Sequence, residues 1–236
     1  KHLTRGRANT LRLALSGQLG DDAFGSDDLY EAMKLCVGCK GCKRECPTGV
    51  DMAKMKVEFL HHYNKRHGLR LFERLVAYLP RYAPLASRLA PVLNLRDRIP
   101  GLAGLSEVFL GFSRKRRLPA WRRDSFGADE ASPKTSGREV VLLADTFNTY
   151  FEPENARAAL RVLEAAGYRV HLPSAADGGR PLCCGRTFLA AGLVDEAKKE
   201  ARRVLSALKT FVERGVPVIG LEPSCRQSAG ARRLRS

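Results

Sequence analysis

The chain has 236 residues, a net charge of +16 and a pI near 9.9, which fits one large or two small domains facing an acidic partner. No run of eighteen or more apolar residues occurs, so no segment is expected to span a bilayer. Seven cysteines do not make a disulfide framework here: four fall within one short stretch, two are adjacent and the odd total leaves a thiol over. Clustered thiols without a secretory leader pattern fit metal ligation in a reducing compartment, and the expected location is cytoplasmic. Lys1 opens the chain without an initiator Met, so it reads as a piece of something longer or as a processed form. Charge alone does not choose the acidic partner. Nucleic acid is disfavoured, because no RNA-recognition, zinc-finger or helix-turn-helix pattern stands out.

In chain order, Thr4 to Leu15 reads as a short helix with a Thr cap, ended by Gly17 and Gly20. Ser26 is suited to cap a second helix carrying Leu29, Met33 and Cys36 on one face, with Asp27 and Asp28 at its positive end. A cysteine loop follows from Cys36 to Pro47. Asp51 then caps a helix to about Lys65, with Met52, Met55, Phe59 and Tyr63 on one face and Gly68 as its stop. From Leu69 to Leu118 the chain reads as broken helix punctuated by Pro80, Pro84, Pro91 and Pro100. Leu71, Leu75, Val76 and Leu79 give one apolar stripe, and Leu105, Val108, Phe109 and Phe112 another. Arg114-Lys115-Arg116-Arg117 closes this region. Residues 118–138 are expected to be a linker in which Trp121 is an anchor. Beyond it, Glu139–Ala144, Tyr168–Leu172 and Val216–Leu221 read as strands, separated by helices over Pro153–Ala166 and Leu193–Arg214. That alternation predicts a mostly parallel sheet covered by helices. The expected fold class is therefore α + α/β: a helical ferredoxin-like cluster domain over 1–117, then an α/β cysteine-rich domain over 139–236.

The strongest signal is Cys36-x2-Cys39-x2-Cys42-x3-Cys46-Pro47. A [4Fe–4S] cube needs one thiolate per iron, and two-residue spacers let successive thiolates wrap its corners. Gly38 and Gly41 suit so tight a wrap. In two-cluster ferredoxins the fourth Cys of such a run ligates the other cluster, so Cys46 either reaches a second cube or closes this one. Four-thiolate zinc sites also use CxxC pairs, but usually separate the two pairs by a dozen residues or more. Lys40, Lys43 and Arg44 either raise the potential of a bound cluster or are simply solvated. His61 and His62 lie on the following helix, where a surface or interface role outweighs a metal role.

The phrase LCVGCKGCKRECPTGVDMAKMKVEFLHH, Leu35 to His62, resembles the second cluster loop of the iron–sulfur subunits of glycolate oxidase, anaerobic glycerol-3-phosphate dehydrogenase and lactate-utilisation enzymes. It is closer still to large fused flavoproteins of the D-2-hydroxyglutarate and D-lactate dehydrogenase type. In those proteins a phrase similar to LTRGRANTLRLALSG, here Leu3 to Gly17, follows the first cluster loop. The resemblance implies electron transfer through [4Fe–4S] clusters, with FAD on a missing upstream domain or partner subunit. It also implies a quinone or other electron acceptor and no catalytic acid or base in this chain. Basic amphipathic helices over Leu69–Arg117 add peripheral contact with the inner face of a membrane to the expectations.

PLCCGRTF, Pro181 to Phe188, resembles the CCG signature of the cysteine-rich domain shared with heterodisulfide reductase subunits. The full motif has a lone Cys, then Cys-Cys-Gly, then CxxC. Here Thr146 stands at the lone-Cys place, Glu222-Pro-Ser-Cys225 keeps one thiol, and no second motif occurs. Cys183, Cys184 and Cys225 leave three readings open: a residual metal or cluster site to which Glu222 adds an oxygen, a redox thiol pair, or buried thiols that only pack. Arg186 is either an anion partner or a surface ion pair. The tail from Arg226 to Ser236 has no apolar periodicity, and a truncated last domain is expected. Two other functional classes stay open: a heterodisulfide-reductase-like thiol catalyst using the CCG cysteines, and a zinc-stabilised basic binding module.

Overall fold

The computed structural model describes residues 3–131, 136–175, 180–223 and 225. By internal contacts the chain divides into two compact units, Lys1–Arg74 with Phe188–Asp195, and Leu75–Thr187 with Glu196–Ser236.

The first unit is helical: α1 (Thr4–Leu15), α2 (Asp27–Lys34), α3 (Gly41–Glu45) and α4 (Met52–His67). Its core is Leu11 and Ala14 of α1, Leu29, Tyr30 and Met33 of α2, and Met52, Phe59, Leu60 and Tyr63 of α4. The i, i+3, i+4 spacing of these residues puts each set on one helical face. Met55 falls on the edge of that face and is partly exposed. Two of the three expected side-chain caps form. Ser26 Oγ accepts from the Leu29 N–H at 3.3 Å, and Asp51 Oδ1 accepts from the Lys54 N–H at 3.0 Å. The Thr4 cap does not. Thr4 is already helical, the capping residue is Leu3, and no side chain closes that end. Tyr30 and Tyr63 stack at 4.7 Å, and the Tyr63 hydroxyl donates to Asp27 Oδ1 at 2.5 Å, which ties α4 to the first turn of α2. The segment Phe188–Asp195 lies against α4: Asn64 Nδ2 donates to the Ala191 carbonyl at 2.7 Å, and His61 Nδ1 lies 3.1 Å from the Gly192 carbonyl. A Cβ on Gly192 would come within 2.6 Å of Leu60 backbone, so only glycine fits there.

Residues 71–110 form short helices α5 (Leu71–Ala77), α6 (Leu79–Arg88), α7 (Ala90–Leu93) and α8 (Leu102–Leu110), with prolines near three of the breaks. Pro84 is tolerated inside α6. The expected apolar stripes are not core stripes. Leu71 and Val76 are exposed, as are Leu105, Val108 and Phe109 of α8, which has no buried residue. Residues 118–127 are irregular, a single 3-10 turn follows at Ala128–Glu130, and the segment is pinned at Trp121. Its backbone exchanges two 2.9 Å hydrogen bonds with the Asn94 side chain, and its ring lies 4.3 Å from that of Phe151.

The second unit contains a three-stranded parallel sheet, β1 (Arg138–Leu143), β2 (Tyr168–His171) and β3 (Val218–Gly220), in the order β2-β1-β3. Val140 and Leu142 of β1 pack with Ala156 and Leu160 of α10 (Pro153–Ala165). Val141, on the opposite face, packs with Val204 and Leu208 of α12 (Val194–Glu213). A strand covered on both faces reads as a continuous apolar run, which is why VVLL carries no alternation. The chain leaves β1 for a neighbour on one side and later pairs on the other, so the carboxyl end of β1 is the point where strand order reverses. In open α/β sheets that crevice is where ligands sit.

Candidate functional site

The cysteine loop starts where α2 stops. Cys36 N–H donates to the Met33 carbonyl at 3.0 Å, and the chain then turns through Gly38 at φ 69° and Lys40 at φ 59°. A left-handed lysine is unusual, since only glycine adopts that region without strain. Lys40 caps the single helical turn α3, and the Cys46 N–H closes it on the Cys42 carbonyl at 2.9 Å. Cys39 is exposed, Cys36, Cys42 and Cys46 are half-buried, and Cys42 packs against the helical core. The four predicted ligands therefore share one loop. Among the described residues no group of three or more His, Cys, Asp or Glu side chains gathers tightly enough to hold a metal ion.

Two features of the loop suit thiolate ligation. Cys46 Sγ lies 3.1 Å from Thr48 Oγ1, and that hydroxyl, with the backbone N–H groups of Val50, Thr48 and Gly49, holds the thiol below its ordinary value. Hydrogen bonds to the charged form favour it, and the thiolate is the form that binds metal. Left-handed and right-handed residues in succession also turn backbone N–H groups to one side of a loop, an arrangement that recurs at iron–sulfur sites. On an exposed loop of soft donors these features fit an iron–sulfur group.

Basic side chains brace the loop, and the sequence did not single out the first of them. Lys56, on α4, donates to the Cys36 carbonyl at 2.6 Å; burial lowers its pKa, and the Cys36 side chain opposes that shift. Lys43 Nζ lies 3.6 Å from Asp51, the residue that caps α4. His62 pairs with Glu58 at 3.3 Å, and no metal group forms there among the described residues.

In the second unit the Cys-Cys-Gly turn is set by its glycine. Gly185 has φ 77°, and a Cβ there would lie 2.8 Å from the Ala197 carbonyl oxygen of α12. α11 (Arg186–Ala190) begins directly after it. Cys183 is buried, bonded to Thr146, and accepts from the Gly185 N–H at 3.4 Å. Its pKa is raised by hydrogen bonding to Cys184 and by burial. Cys184 Sγ lies 3.0 Å from Cys225 Sγ. The Cys183 contact lowers the Cys184 pKa, but the Cys225 bond and burial outweigh it and leave the thiol at about 12. Thr146 opens α9 (Thr146–Tyr150), capped by buried Asp145, whose Oδ1 accepts from Phe147 at 2.9 Å and Asn148 at 3.2 Å. Thr146 thus follows β1, and Cys225 follows β3, so the thiols gather past the carboxyl ends of both strands.

Behind this turn lies a cluster that sequence patterning does not reveal. Glu200 is fully buried on α12 and pairs with Arg81 at 3.2 Å, with Arg203 at 3.4 Å and with Arg180, while Arg81 also holds Glu196. Arg81 and Glu200 stand 119 residues apart in the chain, and only the fold assembles them.

No family model matches the chain, and no solved structure matches it. It is 26% identical over 212 residues to the D-2-hydroxyglutarate dehydrogenase of Escherichia coli (strain K12), an alignment covering 84% of this chain and 20% of that protein. It is 26% identical over 144 residues to one of the subunits of anaerobic glycerol-3-phosphate dehydrogenase from the same organism, covering 58% of this chain and 34% of that one. With the probable glycolate oxidase iron-sulfur subunit of Bacillus subtilis (strain 168) it shares 23% identity over 232 residues, 89% of this chain and 49% of the other. The chain spans about a fifth of the D-2-hydroxyglutarate dehydrogenase it matches. By these alignments it is a homologue of D-2-hydroxyglutarate dehydrogenase, of a glycolate oxidase iron-sulfur subunit and of an anaerobic glycerol-3-phosphate dehydrogenase subunit.

Proposed function

We propose that this chain is the electron-transfer part of a flavin-linked 2-hydroxy acid dehydrogenase and that Cys36, Cys39, Cys42 and Cys46 bind its [4Fe–4S] centre. The observation that carries this reading is the thiol loop itself, four cysteines at ferredoxin spacing, with the Cys46 sulfur 3.1 Å from the Thr48 hydroxyl. When bound, such a cluster supplies a one-electron redox centre. The protein's part is to present thiolates, to direct N–H groups from the turns at Gly38 and Lys40, and to keep positive charge nearby at Lys56 and Lys43. Relay of electrons requires no proton donor at a substrate, and no residue is assigned as acid or base. The flavin belongs to another domain or subunit, and a quinone or similar carrier receives the electrons. The name of the iron-sulfur relative supports this reading, and so does the similarity to one fifth of a much longer dehydrogenase.

Among the described residues no helix is long and apolar enough to cross a membrane. The exposed apolar residues of α8 stand beside Arg114, Lys115, Arg116 and Arg117, and this pairing supports peripheral contact with an anionic lipid surface as part of the proposal.

The test is anaerobic reconstitution with iron and sulfide, followed by metal analysis and EPR of the reduced protein. The expected result is about four irons per cube and a cubane signal that a Cys39→Ser substitution removes. Stoichiometric zinc in a colourless protein sinks the proposal and promotes a zinc-stabilised binding module.

A further inference from the structure

We propose that Cys184 and Cys225 form a redox-active dithiol that closes to a disulfide by exchange with a small external disulfide, while Cys183 is held out of the exchange. The inference is independent of the cluster loop, since it concerns the second unit alone.

Three observations select this pair out of the three thiols. The first is proximity. The two sulfurs lie 3.0 Å apart across a sequence separation of 41 residues. A disulfide bond of about 2.05 Å therefore requires closure by roughly 1 Å. The second is the geometry of the adjacent cysteines. Cys183 and Cys184 are joined by a trans peptide, since there are no cis bonds among the described residues. That holds their Cα atoms at about 3.8 Å, below the usual disulfide span of roughly 4.4–6.8 Å. The third is accessibility. Cys184 and Cys225 are half-buried, whereas Cys183 is buried and engaged by Thr146 and by the Gly185 N–H. The position agrees with a site rather than with packing: the pair lies past the carboxyl ends of β1 and β3, where strand order reverses.

The exchange balances with a disulfide R–S–S–R as oxidant. One cysteine, as thiolate, attacks a sulfur of R–S–S–R, forming a mixed disulfide and releasing RS⁻, which takes up the proton the cysteine lost. The second cysteine, as thiolate, attacks the protein-side sulfur of that mixed disulfide and expels the other RS⁻, which is protonated in turn. Two protein thiols are oxidised by two electrons, R–S–S–R is reduced to two R–SH, and the Cys184–Cys225 bond forms.

The experiment incubates the whole reduced chain with glutathione disulfide, quenches with acid, alkylates the free thiols and maps the peptides by mass. The expected result is one cross-linked peptide pair joining Cys184 to Cys225, with both alkylation sites lost together and Cys183 still alkylated. Peptides from the loop bearing Cys36 to Cys46 are separate in such a map and do not confuse the reading. A Cys225→Ser variant is expected to lose the link and to stop at the glutathione adduct on Cys184. A Cys183→Ser variant is expected to retain the link. A bond that uses Cys183 overturns the proposal. So does alkylation at all three positions after exposure, or thiols masked by a metal ion and freed only by a chelator. Because the wild-type map carries the first result, a variant that fails to fold does not remove the test.

Discussion

Gly185 carries a constraint that its neighbours in the Cys-Cys-Gly turn do not. Its left-handed backbone and its closeness to the Ala197 carbonyl leave no room for a side chain. Holding a non-glycine residue in such a conformation costs on the order of 1–3 kcal/mol. A Gly185→Ala variant is expected to lose about 2 kcal/mol in urea denaturation of the second unit. Loss of under half a kcal/mol would mean that the turn relaxes freely. A second residue-scale expectation concerns acid. Asp124 is pulled from an ordinary 3.8 to about 2, first by its bidentate pairing with Arg122 and also by Arg157, and Arg157 holds Glu130 low as well. A carboxylate lowered by folding stabilises the fold above its ordinary value, and that stability is lost as pH falls from about 4 towards 2. An Arg122→Gln variant is therefore expected to be less stable at neutral pH and to show a smaller drop near pH 2. The check is denaturation midpoints at both pH values. At this scale the sequence speaks clearly where the chemistry is local: Ser26 and Asp51 are short acceptors placed just before helices, and both cap them. It is silent on Lys40, whose left-handed conformation comes from the turn around it and contradicts its own preference.

At the scale of elements, strands and helices of the second unit were readable to within a residue or two. Apolar runs such as VVLL and the period of α10 and α12 are dictated by burial on both sides of one strand. Two short elements were not readable. The five-residue helices α3 and α9 are too brief to show a period and exist through caps and turns. The stripe of α8 has a helical period yet faces solvent, because periodicity reports a preference for cover and not the presence of it. The buried pairing on α12 is the opposite case, a polar core group that no pattern announces. Glu200→Ala leaves three guanidinium groups without their shared carboxylate, and removing one partner of a buried ion pair typically costs about 3–5 kcal/mol. A loss of about 3 kcal/mol or more is expected in thermal or urea unfolding. A change within about 0.5 kcal/mol would place Glu200 among ordinary surface substitutions.

For the molecule as a whole, the net charge of +16 sets a field that short-range contacts do not. Attraction to an anionic surface reaches about one Debye length, roughly 8 Å at physiological salt, and collapses as salt rises. If α8 and the basic run after it meet lipid, sedimentation with vesicles rich in anionic lipid is expected at low salt and sharply less at high salt. Neutral vesicles are expected to retain little protein. Retention unaffected by salt, or equal on neutral vesicles, would argue against the proposed contact. Charge was legible from composition, and the thiol spacing from the order of the residues. The sequence also grouped Cys183, Cys184 and Cys225, but not which two of them pair, because that depends on which strand ends lie side by side.

The bracing of the cysteine loop has an entropic consequence. A free loop must give up conformational freedom before distant donors meet, and that cost is set by where its ends are allowed to wander. Here the first end is held by Lys56 at the Cys36 carbonyl, and the far end by Asp51, which grips both Lys43 and the first turn of α4. One helix therefore anchors both margins of the loop, as a clasp holds the two ends of a strap. Only the few residues around Gly38 and Lys40 remain to rearrange when thiolates converge. Much of the ordering that ligation demands has already been completed by the folding of α4.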